Sequence, residues 1–376
     1  MRFVARFILF LPLVVVAACS DFGYYSQGIG GHLSMMAKRQ SIEKIVVDPS
    51  NPERLRHELQ LVLDIRSFAE TDLAMPVGES FSTYADIRRS YAVWNVVAAP
   101  AYSLAPKEWC FPFTGCLPYR GYFSRDRAEL FADSLRQRGL DVYTYGVPAY
   151  STLGWFNDPV LNTFVDYPEW ALAGLIFHEM AHQMVYAESD GDFNEAFASA
   201  VEGEGVKRWL NDNRSLEEQK EYALFQQRQG DFLDLVASTR EELLDCFDGR
   251  MNGSSAEREE CKQHAFSGMR KAHRELKQEW GGYSGYDDWF AGGLNNARFL
   301  SSHTYRFHLD AFAELLRRNG NDLPAFYRAA QRLAALPSVE RQVALADLRK
   351  AFVAAIPDAS TPAHHSGSDQ SAKSGI

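Results

Sequence analysis

The chain has 376 residues, 46% of them hydrophobic and 13% aromatic. This is enough apolar material to bury a sizeable core, and it excludes a largely disordered protein. The formal net charge is −10, and the sequence has no long run of Lys or Arg. This charge balance argues against nucleic acid and anionic membrane surfaces as partners.

The first nineteen residues have the pattern of an export signal. Arg2 and Arg6 precede an apolar run from Phe7 to Val16, which is too short for a membrane span. The sequence VAAC, which ends at Cys19, resembles the lipobox of bacterial lipoproteins. The resemblance implies a lipoprotein signal peptide over residues 1–18 and acyl chains on Cys19. Because Ser20 follows, it also implies an outer-membrane lipoprotein that faces the periplasm. An ordinary signal peptide and an uncleaved anchor are the alternatives.

Residues 30–90 are predicted to be mainly helical. A helix that opens at Ser34 follows a segment rich in aromatic residues and glycine. From Asn51 to Glu70, leucine and other aliphatic residues recur at helical spacing after a Pro-Glu start signal. A further helix is expected from Ser80 to Arg89.

Residues 91–160 are predicted to form a small mixed sheet. Alternating β-branched and aromatic residues indicate a strand from Tyr91 to Ala98, and the same character continues over Phe111–Phe123. An amphipathic helix, Ser124–Gly139, then precedes two strands at Asp141–Gly146 and Ala149–Phe156. The sheet therefore comes directly before the most informative part of the chain.

An apolar run that begins at Ala171 leads into the sequence HEMAH at residues 178–182. His178 and His182 are four residues apart, which places both imidazoles on one helix face, where they can bind one zinc ion. Glu179 lies beside them, where a carboxylate can accept a proton from metal-bound water. A chance motif on a solvated helix is the alternative, and the apolar run argues against it.

A catalytic zinc site normally has three protein ligands, so a third is expected nearby. After a turn at Ser189–Asp192, the sequence NEAFA opens a second helix, and its Glu195 is the candidate. If the chain reverses at this turn, the two helices lie antiparallel. Ser199 and Glu202 then fall on the face of Glu195 and could hydrogen-bond a ligating histidine.

HEMAH followed by NEAFA resembles the gluzincin zinc metallopeptidases, whose third ligand is the glutamate of an Asn-Glu pair on the next helix. The chain also resembles bacterial lipoproteins known as predicted aminopeptidases, through AYSTLGWFNDP before the motif and LNNARF after it. The resemblance implies a zincin-like, mostly helical α+β fold that binds Zn²⁺ through His178, His182 and Glu195. The gap between the helices is shorter than in the gluzincins, which leaves Glu202 and Glu204 as alternative third ligands.

In the gluzincins, an edge strand beside the zinc helix pairs with an extended peptide substrate. By this resemblance the edge is the segment 149–155, with Tyr150, Gly154 and Trp155 at the substrate. A buried hairpin is the alternative for this segment. Asp158 either meets a substrate amine or caps the turn before Pro159.

Residues 171–355 are otherwise predicted to form a helical subdomain. Apolar residues recur at spacings of three and four in four segments, which are Ser215–Leu244, Ser254–Trp280, Asn295–Arg318 and Leu323–Ala335. Related gluzincins stabilise the reaction oxyanion with a tyrosine or histidine of a later helix. By resemblance that donor is Tyr305, with His303 as the alternative. Residues 356–376 are predicted to be a disordered tail.

Four cysteines remain besides Cys19, an even number that suits disulfides in an oxidising compartment. Three connectivities are possible, and the local pairs Cys110–Cys116 and Cys246–Cys261 are the simplest. Their spacing is not typical of a zinc site.

The sequence thus predicts a zinc-dependent peptidase with a single domain over residues 19–355. Glu179 is the predicted general base, Tyr305 the predicted oxyanion donor, and a peptide the substrate. The aminopeptidase label rests on resemblance, because the chain lacks a Gly-x-Met-Glu-Asn loop to bind a substrate amine. An endopeptidase is therefore an alternative specificity, and a non-catalytic peptide- or protein-binding envelope lipoprotein is the alternative function.

Overall fold

A computed structural model describes residues 23–111, 115–150, 157–213, 216–247, 254–302 and 308–355. Most of these residues are helical and the sheets are small, so the predicted mostly helical α+β class is confirmed. Within these ranges, no helix combines the length and the apolar character that crossing a bilayer requires. The predicted signal peptide, Cys19 and the predicted tail lie outside the described residues.

The N-terminal part is mainly helical. Its elements in chain order are α1 (23–36), β1 (Gln40–Ser41), α2 (Ile42–Val47), α3 (Glu53–Thr71) and β2 (Thr83–Ala85). The helix predicted over Asn51–Glu70 is therefore confirmed as α3. Helix α1 already begins at residue 23, well before the predicted start at Ser34.

The middle part contains most of the strands. Its elements are β3 (Val93–Pro100), β4 (Trp109–Phe111), β5 (Gly115–Leu117), β6 (Tyr119–Tyr122), α4 (Arg125–Arg136), β7 (Leu140–Val147) and β8 (Val160–Leu161). Strands β6, β3 and β7 form an antiparallel sheet with β3 in the centre, and β4 and β5 form a hairpin. The mixed sheet consists of β1, β2 and β8, so the prediction of one mixed sheet over residues 91–160 is wrong.

The helix predicted over Ser80–Arg89 is also wrong, because β2 lies there. Phe81 and Arg88 have φ angles of 57° and 54°, in the left-handed region that interrupts a right-handed helix. The backbone of this segment bonds to distant neighbours instead, since the Phe81 N–H donates to the Asp158 carbonyl. Strand β2 then pairs with β1 on one side and β8 on the other.

The two faces of the β6-β3-β7 sheet differ. One face is apolar and packs on α4. On the other, the register places Asn95 opposite Tyr145 and Val97 opposite both Tyr119 and Tyr143. Since residues directly opposite in a sheet share a face, these polar residues line one surface. We call Asn95, Tyr119, Tyr143 and Tyr145 the tyrosine face.

The C-terminal part has only helices as regular elements among its described residues. It contains α5 (Glu169–His182), α6 (Gly191–Asn213), α7 (Leu216–Phe247), α8 (Ser255–Glu279), α9 (Asp287–Ala291), α10 (Asn296–Leu300), α11 (Leu309–Arg318), α12 (Leu323–Ala334) and α13 (Ser338–Ala355). The single helix predicted over Asn295–Arg318 is wrong, because α10 ends at Leu300 and α11 begins at Leu309.

Both predicted local disulfides are confirmed. Cys110–Cys116 joins β4 to β5, and Cys246–Cys261 joins α7 to α8. Each disulfide therefore links two consecutive elements and closes a short loop between them.

Candidate functional site

Helix α5 is buried on most of its surface. Its apolar residues fill the main core and leave a narrow face for the two histidines; they are Leu172, Ala173, Ile176, Phe177, Met180 and Ala181. His182 is 7% exposed, and the His178 side chain is 14% exposed. Both imidazoles therefore lie in a largely desolvated setting, where the interactions of charged and polar groups are strong.

Two glycines allow α5 and α6 to pack closely. A Cβ atom on Gly174 would lie 3.2 Å from Val206 and 3.3 Å from Glu202, and one on Gly205 would lie 2.7 Å from the Phe177 ring. A larger side chain at Gly205 would push the helices apart. The close approach brings the carboxylates of α6 to the imidazoles of α5.

The connection between the two helices is held by Asn194, the residue before Glu195. Its buried side chain accepts a hydrogen bond from the Ala187 N–H at 2.7 Å and donates one to the Ala187 carbonyl at 2.9 Å. These bonds tie the first turn of α6 to the middle of the loop that joins α5 to α6. The Asn of the Asn-Glu pair thus fixes the loop, and this fixes where Glu195 points.

The structure brings His178, His182 and Glu195 together. Their side-chain groups form a triangle: the two Nε2 atoms lie 3.2 Å apart, and the Glu195 carboxylate places Oε2 3.4 Å from Nε2 of His178 and Oε1 3.7 Å from Nε2 of His182. Among the described residues, these three are the one group of three or more His, Cys, Asp or Glu side chains close enough together that they could hold a metal ion. We call this group the His-His-Glu cluster.

Glu202 contacts the cluster from outside. Its carboxylate lies 3.0 Å from Nδ1 of His178. When the Nδ1–H of His178 donates a hydrogen bond to Glu202 and Nε2 carries no proton, the Nε2 lone pair faces His182 and Glu195. Glu204, by contrast, pairs with Arg208 at 2.8 Å, and Ser199 makes no side-chain hydrogen bond to a described residue.

The charges in the cluster depend on burial and on the carboxylates. Burial alone would lower the pKa of His178, but its hydrogen bonds to Glu195 and Glu202 raise that pKa well above its ordinary value. Burial lowers the pKa of His182 to about 4, so this imidazole is neutral at pH 7. Burial would raise the pKa of Glu195, but its contacts with both histidines lower it. The carboxylates therefore favour a cation between them.

The donor set fits zinc. Two imidazole nitrogens bound to one tetrahedral zinc ion, at the usual bond length of roughly 2.0–2.1 Å, lie about 3.3 Å apart. The 3.2 Å between the Nε2 atoms of His178 and His182 agrees with this spacing. Two nitrogens and one carboxylate are also the ligands of many catalytic zinc sites, which keep a fourth position open.

One family matches most of the chain. The family described as putative aminopeptidase matches residues 23–345. The chain belongs to this aminopeptidase family. The match covers α5, α6 and the strands, and so includes the His-His-Glu cluster and the tyrosine face. No curated protein and no solved structure matches the chain.

In this member of the aminopeptidase family, the structure adds a candidate site residue, Tyr119, that the sequence analysis did not predict. Burial raises the pKa of its phenol well above the ordinary value, and the charges of Glu195 and Glu179 raise it further. Burial also raises the pKa of Tyr145, which hydrogen-bonds Asn95 and senses the charge of Glu195. Tyr119 and Tyr145 of the tyrosine face are therefore close enough to Glu195 for its charge to raise their pKa values, and Tyr119 keeps its proton at neutral pH.

Most of the predicted substrate residues and both predicted oxyanion donors lie outside the described part of the chain. The roles of Gly154 and Trp155 at the substrate, and of Tyr305 or His303 at the oxyanion, therefore stay predictions. Ala149 and the described Tyr150 are not in a strand.

Two further predicted contacts do have described positions. The Tyr150 ring packs against Phe123 and His32 at centroid distances of 5.1 and 6.0 Å. Asp158 is 1% exposed, and its carbonyl accepts the Phe81 N–H at 2.8 Å. A contact between the Asp158 carboxylate and a substrate amine would require this side chain to become accessible.

Proposed function

We propose that this member of the aminopeptidase family is a zinc-dependent peptidase. The observation that carries the proposal is the triangle formed by two imidazoles and one carboxylate, with 3.2 Å between the Nε2 atoms of His178 and His182 and 3.4 and 3.7 Å from these to the nearest oxygens of Glu195. The family description supports peptide hydrolysis, and the donor set supports zinc as the metal.

When bound, zinc would lower the pKa of water in the site to about 7 and polarise a substrate carbonyl. Glu179 follows His178 directly on α5 and lies close enough for its charge to affect both His178 and Tyr119. This carboxylate accepts the proton of the attacking water and passes it to the leaving amine. Glu202 holds His178 by its Nδ1 atom and so keeps Nε2 directed into the cluster.

Tyr119 joins the predicted Tyr305 and His303 as a candidate oxyanion donor, because its protonated phenol is close enough to Glu179 and Glu195 for their charges to raise its pKa. It belongs to β6, an edge strand that pairs with β3 and with no other described strand. An extended peptide could add to this edge through main-chain hydrogen bonds. We therefore propose β6 as a further peptide-binding edge beside the predicted segment 149–155, most of which lies outside the described residues.

Replacing Tyr119 by Phe is expected to lower kcat by about 10²–10³-fold, because one oxyanion donor is lost. KM is expected to change little, since the donor acts mainly in the transition state. Steady-state kinetics of Tyr119→Phe and of Tyr143→Phe, a matched change on the same face, test this role. A normal kcat in Tyr119→Phe would mean that Tyr119 is not the oxyanion donor.

Hydrolysis of a short peptide with a free or an N-acetylated amino terminus tests the reaction and its specificity. An aminopeptidase is expected to cleave only the free form, whereas an endopeptidase cleaves both. Removal of the metal with a chelator should abolish either activity, and zinc should restore it. If the purified chain bound no zinc, it would instead be a non-catalytic binding protein on the same fold.

The proposal also includes the location. The VAAC sequence at Cys19 supports a lipid-anchored chain at the outer membrane, with the enzyme in the periplasm. The two disulfides support an oxidising compartment of this kind. Mass spectrometry of the mature protein would detect acyl chains on Cys19 if this location is correct.

A further inference from the structure

Helix α1 has an exposed face without a single charged residue. Three large apolar side chains on it recur every four residues, with exposed fractions of 43% for Tyr25, 62% for Ile29 and 60% for Leu33. The other exposed residues of this helix are small and uncharged, namely Ser26, Gly30 and Ser34. A surface helix in water normally presents charged or polar side chains on its outer face. The apolar side chains on this face therefore indicate contact with an apolar surface. We call Tyr25, Ile29 and Leu33 the apolar stripe.

The inner face of α1 is firmly packed, which fixes the orientation of the helix. The Tyr24 ring lies 5.8 Å from Phe111 and 5.4 Å from Tyr122, and the Gln27 side chain accepts a hydrogen bond from the Phe123 N–H at 3.0 Å. Met35 is 1% exposed. The helix therefore cannot turn its apolar stripe inward without losing these contacts.

The position of α1 in the chain indicates what covers the stripe. The helix begins four residues after Cys19, the proposed site of lipid attachment, which would hold it close to a bilayer. Between Phe22 and Ile42 the chain has no Asp or Glu, although the whole chain carries a net charge of −10. This segment can thus approach a bilayer without desolvating a carboxylate.

The size of the stripe argues against a protein partner. The three side chains expose roughly 300 Å² together, well below the about 800 Å² per partner that a stable protein interface buries. A single amphipathic helix of this kind, in contrast, is sufficient to lie in a membrane interface.

We infer that α1 lies on a phospholipid surface, with Tyr25, Ile29 and Leu33 inserted at the boundary between headgroups and acyl chains. The attraction comes from apolar contact and needs no anionic lipid, which would repel a chain with a net charge of −10. Vesicles of zwitterionic lipid are therefore sufficient for binding. The helix rests on the membrane and orients the body of the protein relative to it.

Depth-dependent quenching in the mature chain tests this contact. The chain used begins at Ser20, so that neither the apolar run Phe7–Val16 nor an acylated Cys19 binds the vesicles in its place. An environment-sensitive fluorophore is attached at Ile29→Cys, or at Leu130→Cys on α4 as the control, since Leu130 is 71% exposed. Both proteins are mixed with phosphatidylcholine vesicles that carry quenchers on their acyl chains. We expect severalfold quenching at position 29 and none at position 130. Equal, unquenched signals from protein that floats with the vesicles would overturn the inference.

A second measurement compares two serine triplets in the same mature chain. Tyr25→Ser, Ile29→Ser and Leu33→Ser together should reduce vesicle binding severalfold. Val339→Ser, Val343→Ser and Val353→Ser, which change three exposed valines of α13, should leave it unchanged. Equal vesicle binding by the two triplets would contradict the inference. So would a dimer in the absence of lipid that only the α1 triplet dissociates, since the stripe would then bind a second copy of the chain.

Discussion

Glu179→Gln is expected to lower kcat by about 10²–10⁴-fold while the chain still binds about one zinc ion per molecule. The amide has nearly the shape of the carboxylate but cannot accept the proton of the attacking water. It leaves His178, His182 and Glu195 unchanged, so the donor triangle stays intact. Metal analysis and peptide hydrolysis on the same preparation measure both parts of the prediction.

Two further variants serve as controls for Glu179→Gln, one expected to lose both zinc and hydrolysis and one expected to keep both. His178→Ala should lose both zinc and hydrolysis, because it removes a cluster nitrogen and the partner of Glu202. Glu204→Gln, a matched change on α6, should keep both, because Glu204 pairs with Arg208. Unchanged turnover in Glu179→Gln would remove this residue from the mechanism, whatever the metal content.

Glu195→Gln and Glu202→Gln are expected to separate the third ligand from its supporting neighbour. Glu195 faces both Nε2 atoms, so its loss should reduce zinc from about one ion per chain to a small fraction of that after dialysis. Glu202 touches only the far nitrogen of His178, and loss of such a support typically weakens metal binding about 10–100-fold. Competition with a chromogenic chelator measures both affinities.

The reverse order of effects would assign the third ligand to Glu202. Circular dichroism of both variants provides the folding control, since Gln keeps the size of the side chain. A normal zinc affinity in both variants would mean that the triangle is not the metal site, and the proposed function would then fail with it.

Local patterns in the sequence predicted the cluster well. The four-residue spacing of His178 and His182 fixes their common face once α5 forms, and the short loop limits where Glu195 can lie. The two disulfides were predictable for the same reason, since each closes a short loop. What these features share is that their partners are close in the chain.

Features that depend on distant pairing were not predictable. Tyr119 comes beside the cluster only because β6 pairs with β3, and no local pattern in the sequence indicates this register. The segment Ser80–Arg89 has residues that suit a helix, but pairing of β2 with β1 and β8 overrides that preference. Two positive φ angles within this segment then exclude a continuous helix.

The hydrogen bonds between Asn194 and Ala187 fix the start of α6, and therefore the direction around the helix axis in which Glu195 points. Each residue added between Asn194 and Glu195 would rotate the carboxylate by about 100° around the axis of α6. Residues added in the loop before Ala187 would leave that direction unchanged. Among related chains, we therefore expect insertions and deletions in the loop before Ala187 and none between Asn194 and Glu195.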